Sequence, residues 1–198
     1  MKIVLASQSP YRKLQLENFG LKFTAVTPKI DEEALKKIGP KDLKELTVFL
    51  AKAKAESLLT DYPDAMIIGS DQLASLNSER LDKPGHRDQA KIQLRKMQGK
   101  THQLITSMAL AHKGRTLIYT DVTEITLRQL SDSAIEAYLD QDKPFDCAGS
   151  YKIEKAGIAL VANITSHDPS AIQGLPLMSL AQAFEQMNIP LDKIWSPS

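Results

Sequence analysis

The two longest apolar-rich runs of the chain, Thr101 to His112 and Thr116 to Leu127, are separated only by Lys113-Gly114 and its immediate flank. Strands of that length with so short a link predict an antiparallel pair, because parallel neighbours need a crossover of a dozen residues or more. The rest of the sequence alternates short apolar runs with helical periodicity, the signature of strands carrying crossover helices. A hairpin inside such an alternation predicts an α/β fold with a mixed central sheet and flanking helices, not a uniformly parallel one.

The other elements follow from local signals. KIVLA is a first strand, and Ser9-Pro10 opens a helix that runs to Phe19 and stops at Gly20, with Ser9 as N-cap and Pro10 at the first helical position. KFTAV is a second strand, leading into the acidic stretch Ile30-Asp31-Glu32-Glu33. A helix spans about Asp42 to Leu59, with Leu43, Leu46, Phe49 or Leu50, and Ala53 on one face. A buried strand from Ala65 to Ile68 opens through Gly69 into Ser70, Asp71 and Gln72. LASL and the hairpin-like NSERLDKPG come next, then a helix over about Arg87 to Met97. Ser131 caps a helix to Asp140, GIALVANI is a strand, and the last helix is entered through Gly174 and Pro176. The 198 residues suit a single domain of two lobes, without a linker, repeat or low-complexity tract.

Charge narrows the choice of partner. Lys and Arg number 25 against 24 Asp and Glu, which argues against a broad nucleic-acid footprint. The single cysteine, Cys147, excludes an intrachain disulfide and reads as a small structural residue. No segment reads as a signal peptide or a bilayer span, so the expectation is a cytoplasmic protein without membrane contact. The lysine-rich segment from Lys36 to Lys44 reads as a solvated face.

Several familiar motifs fail on inspection. Gly99-Lys100-Thr101 resembles the end of a P-loop, but Leu94 stands where the first glycine is needed. Neither a nucleophile elbow nor a zinc-binding His pair occurs, and His86, His102, His112 and His167 are scattered. What remains is a set of charges at the ends of apolar strands: Arg12, Asp31, Glu32, Asp71 and Lys83. Ser7 and Ser9 stand ahead of a helix N-terminus whose free N–H groups, with the fork of Arg12, suit a phosphate. Asp71, read as lying just beyond the carboxyl end of a buried strand, is at the position where open α/β sheets place ligands. Carboxylates together with Arg and Lys fit a metal-bound polyphosphate.

LASQSPYR, Ile-Asp-Glu, LAKAKAES, IIGSDQ, LDKPG, LRKMQGKTHQ, CAGSYKIE and IQGLPLMSL together resemble, in order and spacing, the Maf family of nucleotide pyrophosphatases, from about Ile3 to Leu180. The resemblance implies a Maf/ITPase-like fold with a cleft between two lobes, a homodimer, and hydrolysis between the α and β phosphates of a nucleoside triphosphate. It implies roles for Ser7, Arg12, Glu32, Lys54, Asp71 and Lys83. Asp71 would be the proton acceptor and, with Glu32, would hold Mg²⁺ or Mn²⁺, while Arg12, Lys54 and Lys83 would neutralise phosphate charge. Ser7, with the amides after Pro10, would fix the triphosphate, and spacing alone does not single out Lys54.

SPYR, GSDQ and AGSYKIE resemble the branch of the family that hydrolyses 7-methyl-GTP, and the diagnostic residues are Tyr11, Gln72 and Glu154. A 7-methylated guanine is cationic, so an aromatic face at Tyr11 attracts it by about 0.5 to 2 kcal/mol, and Glu154 would balance its charge. Two departures stand out: the branch commonly has Trp where this chain has Tyr11, and Lys155-Ala156-Gly157 replaces a glycine directly after Glu154. The alternatives are a dTTP, UTP or other non-canonical nucleotide pyrophosphatase, and a nucleotide-binding regulator of septum formation.

Overall fold

The computed structural model describes residues 2–195. The expected mixed sheet is present. Its main path runs β2 (Thr24–Val26), β1 (Ile3–Ala6), β3 (Met66–Leu76), β5 (Thr101–His112), β6 (Arg115–Leu127), β7 (Val161–Thr165), and β4 (Glu79–Leu81) pairs with β3. β1 is parallel to both β2 and β3, with Leu5 opposite Ala25 and Ile68, whereas β3–β4 and β6–β7 are antiparallel. Lys113 and Gly114 both take positive φ, 45° and 75°, the backbone of a two-residue hairpin turn.

The chain forms two compact units. The first comprises the chain up to Asp71, Thr106–Asp121, and the chain from Asp168 onward. β1 and the parts of β3 and β5 that belong to this unit are buried on both faces, and the alternation of their side chains sorts them into two cores. Ile3, Leu5, Met66, Ile68, Met108 and Leu110 pack with the helices α1 (Pro10–Asn18) and α6 (Leu177–Gln186) and with Ile194 of the short terminal helix α7 (Leu191–Trp195). Val4, Ala6, Ile67, Ala109 and Ala111 face the helix α3 (Leu43–Glu56) through its Ala51 and Ala55. The small residues on that second face let α3 approach closely. A Cβ on Gly69 would stand 2.3 Å from the Ala51 carbonyl oxygen and 2.6 Å from the Ala55 nitrogen, so only glycine fits beneath the helix.

The second unit comprises Gln72–Ile105 and Val122–His167. Its β3–β4 hairpin turns at Asn77-Ser78, where φ is 53° and 66°. α4 (Arg87–Met97) pairs with α5 (Asp132–Asp142) through Arg87 to Asp140 and Glu136, and Arg95 to Asp132. His102 Nε2 lies 2.8 Å from the Tyr151 hydroxyl, both buried, and burial pushes the imidazole down to about 4.

Five readings of the sequence need correction. The strand expected to end at Ile68 continues to Leu76, so Asp71 sits within it and LASL is its last part. Polar Ser70, Asp71 and Gln72 imitate a turn, but partners on both faces engage the Ser70 hydroxyl and one oxygen of Asp71 within the strand. GIALVANI is a 3₁₀ turn over Ala156–Leu160 followed by β7, and the helix expected to reach Leu59 closes at Glu56. The acidic stretch is the start of α2 (Glu32–Ile38), capped by Asp31, whose Oδ1 accepts from Ala34 N at 3.0 Å. Lys36 belongs to that helix, and ion pairs to Glu32 and Glu33 leave its side chain only 16% exposed, so the segment from Lys36 is not a uniformly solvated face.

Candidate active site

Seven of the candidate site residues, Ser7, Ser9, Tyr11, Arg12, Glu32, Lys54 and Asp71, belong to the first unit, and their elements explain the placement. β1 ends at Ala6, and the Ser7 hydroxyl accepts from Ser9 N at 3.1 Å, bending the chain into α1. Ser9 caps that helix, accepting from Arg12 N at 3.5 Å. No acidic side chain occupies the first turn, so the positive end of α1 keeps its capacity for an anion. Arg12 directs Nε to the Gly174 carbonyl at 2.8 Å and Nη1 to Ser7 Oγ at 3.5 Å. Burial lowers the guanidinium from its ordinary value, while the charges of Asp71 and Glu32 draw it back up. Tyr11 stands beside Arg12 in the first turn, half-buried.

Lys54 is the centre of the acidic half. It projects from α3 with its residue only 6% exposed, and its ammonium lies 2.6 Å from Asp71 Oδ1 and 2.7 Å from Glu32 Oε2. Gly69, two residues before Asp71 and on the same face of β3, sets the helix close enough for this reach. Burial alone would raise Glu32, but the charge and hydrogen bond of Lys54, with those of Lys36, hold its carboxyl down at about 2. Lys36 is raised in turn, its bonds to Glu33 and Glu32 outweighing burial. Asp71 is 4% exposed, and its second oxygen, Oδ2, is buried without a hydrogen-bond partner among the described residues. A buried acceptor left unpaired is costly and marks a place where an external donor or cation belongs.

The donor set can be tested against a divalent ion. Among the described residues no group of three or more His, Cys, Asp and Glu is gathered to hold a metal. Two carboxylates, Glu32 kept ionised and Asp71 with an open oxygen, are nevertheless what Mg²⁺ commonly takes from protein when phosphate and water complete its shell. The residues fit such an ion.

Lys83, Gln72 and Glu154 belong to the second unit. Lys83 is exposed on the loop after β4, and the preceding carbonyl, of Asp82, is held by Gln93 Nε2 at 2.8 Å. Gln72 follows Asp71 on β3, so its side chain takes the opposite face of that strand. Glu154 is exposed on a turn closed by Lys155 N donating to the Lys152 carbonyl at 3.1 Å, and a Cβ on Gly157 would stand 2.5 Å from that same oxygen. That contact gives Lys155-Ala156-Gly157 a backbone purpose: the glycine comes three residues after Glu154 because the chain passes tightly against the Lys152 backbone there.

Sequence reasoning missed Lys36, Ser70 and Gly174. Asp31 followed by Glu32-Glu33 and then Lys36-Lys37 is a capped helix with charges matched to its dipole, a signal sufficient to find Lys36. The contacts of Ser70 and Gly174 span 104 and 162 residues, and no local signal reports them.

Comparison with known proteins adds to the geometry. The Maf-like protein family model matches residues 2–187, which covers both units. The chain belongs to the Maf family. Full-length relatives include a 7-methyl-GTP pyrophosphatase of Xanthomonas axonopodis pv. citri, 41% identical over 93% of this chain and 96% of that protein. Proteins of the same description from Cupriavidus pinatubonensis and Aromatoleum aromaticum are 39% and 42% identical, over 96% and 91% of this chain and 94% and 93% of their own. In this Maf chain five of the six residues flagged by motif, Ser7, Arg12, Glu32, Lys54 and Asp71, fall within one unit, and the sixth, Lys83, belongs to the other.

Proposed function

We propose that this protein hydrolyses the α–β phosphoanhydride of 7-methyl-GTP, releasing 7-methyl-GMP and pyrophosphate. The observation that carries the chemistry is Asp71: a buried carboxylate with one oxygen fixed by Lys54 and the other open. Its Oδ2 accepts the proton of the attacking water, and Lys54, 2.6 Å from Oδ1, keeps the carboxylate oriented for that task. Arg12, Ser7 and the amides opening α1 bind phosphate oxygens, and Lys83 neutralises charge on the departing pyrophosphate. Arg12 and Lys54 are balanced by Glu32 and Asp71, so the triphosphate itself needs further cations. Mg²⁺ or Mn²⁺, held by Glu32 and Asp71, would supply that charge and lower the pKa of water.

The choice of base rests on the relatives' descriptions and on Tyr11, Gln72 and Glu154. Tyr11 offers its ring to the cationic methylguanine and Glu154 its charge. The whole chain acts as one pyrophosphatase domain in a homodimer, in the cytoplasm; the described helices include none long and apolar enough to cross a membrane. The test is pyrophosphate release with Mg²⁺ or Mn²⁺ from 7-methyl-GTP, GTP, dTTP, UTP and CTP. Preference for 7-methyl-GTP is the expected outcome. Preference for dTTP or UTP would keep the chemistry and reject the specificity residues, and absence of turnover would reject both.

A further inference from the structure

Ser70 precedes Asp71 on β3, and its side chain takes the opposite face of the strand. The hydroxyl is fully buried, 2.9 Å from the Ser107 carbonyl oxygen and 2.8 Å from that of Gly174. The Gly174 carbonyl is the same one that accepts Arg12 Nε at 2.8 Å. It therefore accepts from Arg12 and shares the single proton of the Ser70 hydroxyl with the Ser107 carbonyl, the Gly174 contact being the shorter of the two. Gly174 ends a 3₁₀ turn over Pro169–Gln173 at φ 103°, and a Cβ there would stand 3.2 Å from Arg12 Nε.

The turn is clamped from several sides. Gln15 Nε2 donates to the carbonyls of Ser170 at 2.7 Å and Leu175 at 3.2 Å, and Thr106 Oγ1 donates to that of Ala171 at 3.0 Å. Asp168 accepts from Ser170 and from the backbone and hydroxyl of Ser179. The carbonyl cannot swing away without breaking these bonds. With Nε engaged, the two terminal nitrogens of Arg12 are its remaining donors, and the contact of Nη1 with Ser7 is at the limit of a hydrogen bond.

We propose that Ser70, acting through the carbonyl oxygen of Gly174, is a positioning residue that fixes the direction in which Arg12 presents its guanidinium to a phosphate group. The proposal rests on the phosphate-binding role given to Arg12 above. Consecutive residues of β3 then serve different halves of the site: Asp71 engages Lys54, and Ser70 aims the arginine.

The test is a double-mutant cycle read by calorimetry, with inorganic pyrophosphate and Mg²⁺ as the probe, on the full chain and on Ser70→Ala, Arg12→Lys and the double variant. Ser70→Ala should weaken binding roughly three- to tenfold in the wild-type background and by less than about twofold beside Arg12→Lys. Equal factors in both backgrounds would overturn the positioning role alone. Wild-type protein that binds no pyrophosphate would overturn the phosphate role of Arg12, and the proposal with it. A second measurement needs no folded Ser70 variant: in ¹⁵N-labelled wild type, the Arg12 Nε–H should exchange with water roughly tenfold more slowly than that of exposed Arg128. Exchange as fast as at Arg128 would also sink the idea.

Discussion

Replacing Lys54 by methionine keeps most of the side-chain volume and removes one charge from the centre of the acidic cluster. The ammonium it deletes serves Asp71 and Glu32 at 2.6 and 2.7 Å. The Lys54 and Asp71 side chains are only 8% and 5% exposed, so breaking this pair leaves a buried charge uncompensated, at a cost of about 3 kcal/mol. Glu32 contributes less. Its shift from 4.5 to about 2 would represent roughly 3 kcal/mol in a dry site, but the side chain is 39% exposed and solvent screening leaves about 1. The combined loss, about 4 kcal/mol, corresponds to a fall in Tm of roughly 8 to 16 °C for a chain of this size.

The pH dependence has a definite sign. A carboxylate whose folded pKa is lowered contributes stability that is complete above its unfolded value, here 4.5, and is lost as pH falls through about 2. Wild type should therefore lose its Glu32 share across that window, whereas Lys54→Met lacks most of it at every pH. The gap between the two proteins narrows in acid. Thermal unfolding followed by circular dichroism at pH 7, 5 and 3 reads both quantities. A variant within about 2 °C of wild type at pH 7, or a deficit that stays constant down to pH 3, would refute the reasoning.

Other expectations follow from the same structure. Asp71→Asn keeps the shape of the side chain but loses the proton acceptor, so pyrophosphate release should fall by about 10² to 10⁴ with the fold intact by circular dichroism, and an undiminished rate would remove the catalytic assignment. Gly69→Ala forces a methyl group against the backbone of α3 and should cost about 3 kcal/mol in urea unfolding, since the atoms it meets are main chain and cannot turn aside. His102, buried against Tyr151, should remain neutral in an NMR titration until pH approaches about 4, and a midpoint near 6.5 would mean that the site is open to water.

Much of the fold was legible locally. Ser9-Pro10, Asp42 and Ser131 carry their capping function in the side chain itself, and the structure has helices starting after each of them. The hairpin at Lys113-Gly114 and the mixed sheet followed from strand length and link length. The ordered motifs likewise gave the candidate residues, because reaction chemistry restricts residue type at each position. Local pattern failed where tertiary partners changed what a residue means. Ser70-Asp71-Gln72 has the polarity of a turn, and only the carbonyls beside Ser70 and the ammonium beside Asp71 make those two tolerable inside a buried strand. The close approach of α3 over Gly69, the balance of Lys54 between two carboxylates, and the aim of Arg12 were decided by tertiary structure alone. Each depends on groups brought together from 14 to 162 residues apart, and the energy of a buried charge or hydroxyl is set by those neighbours and not by its own identity.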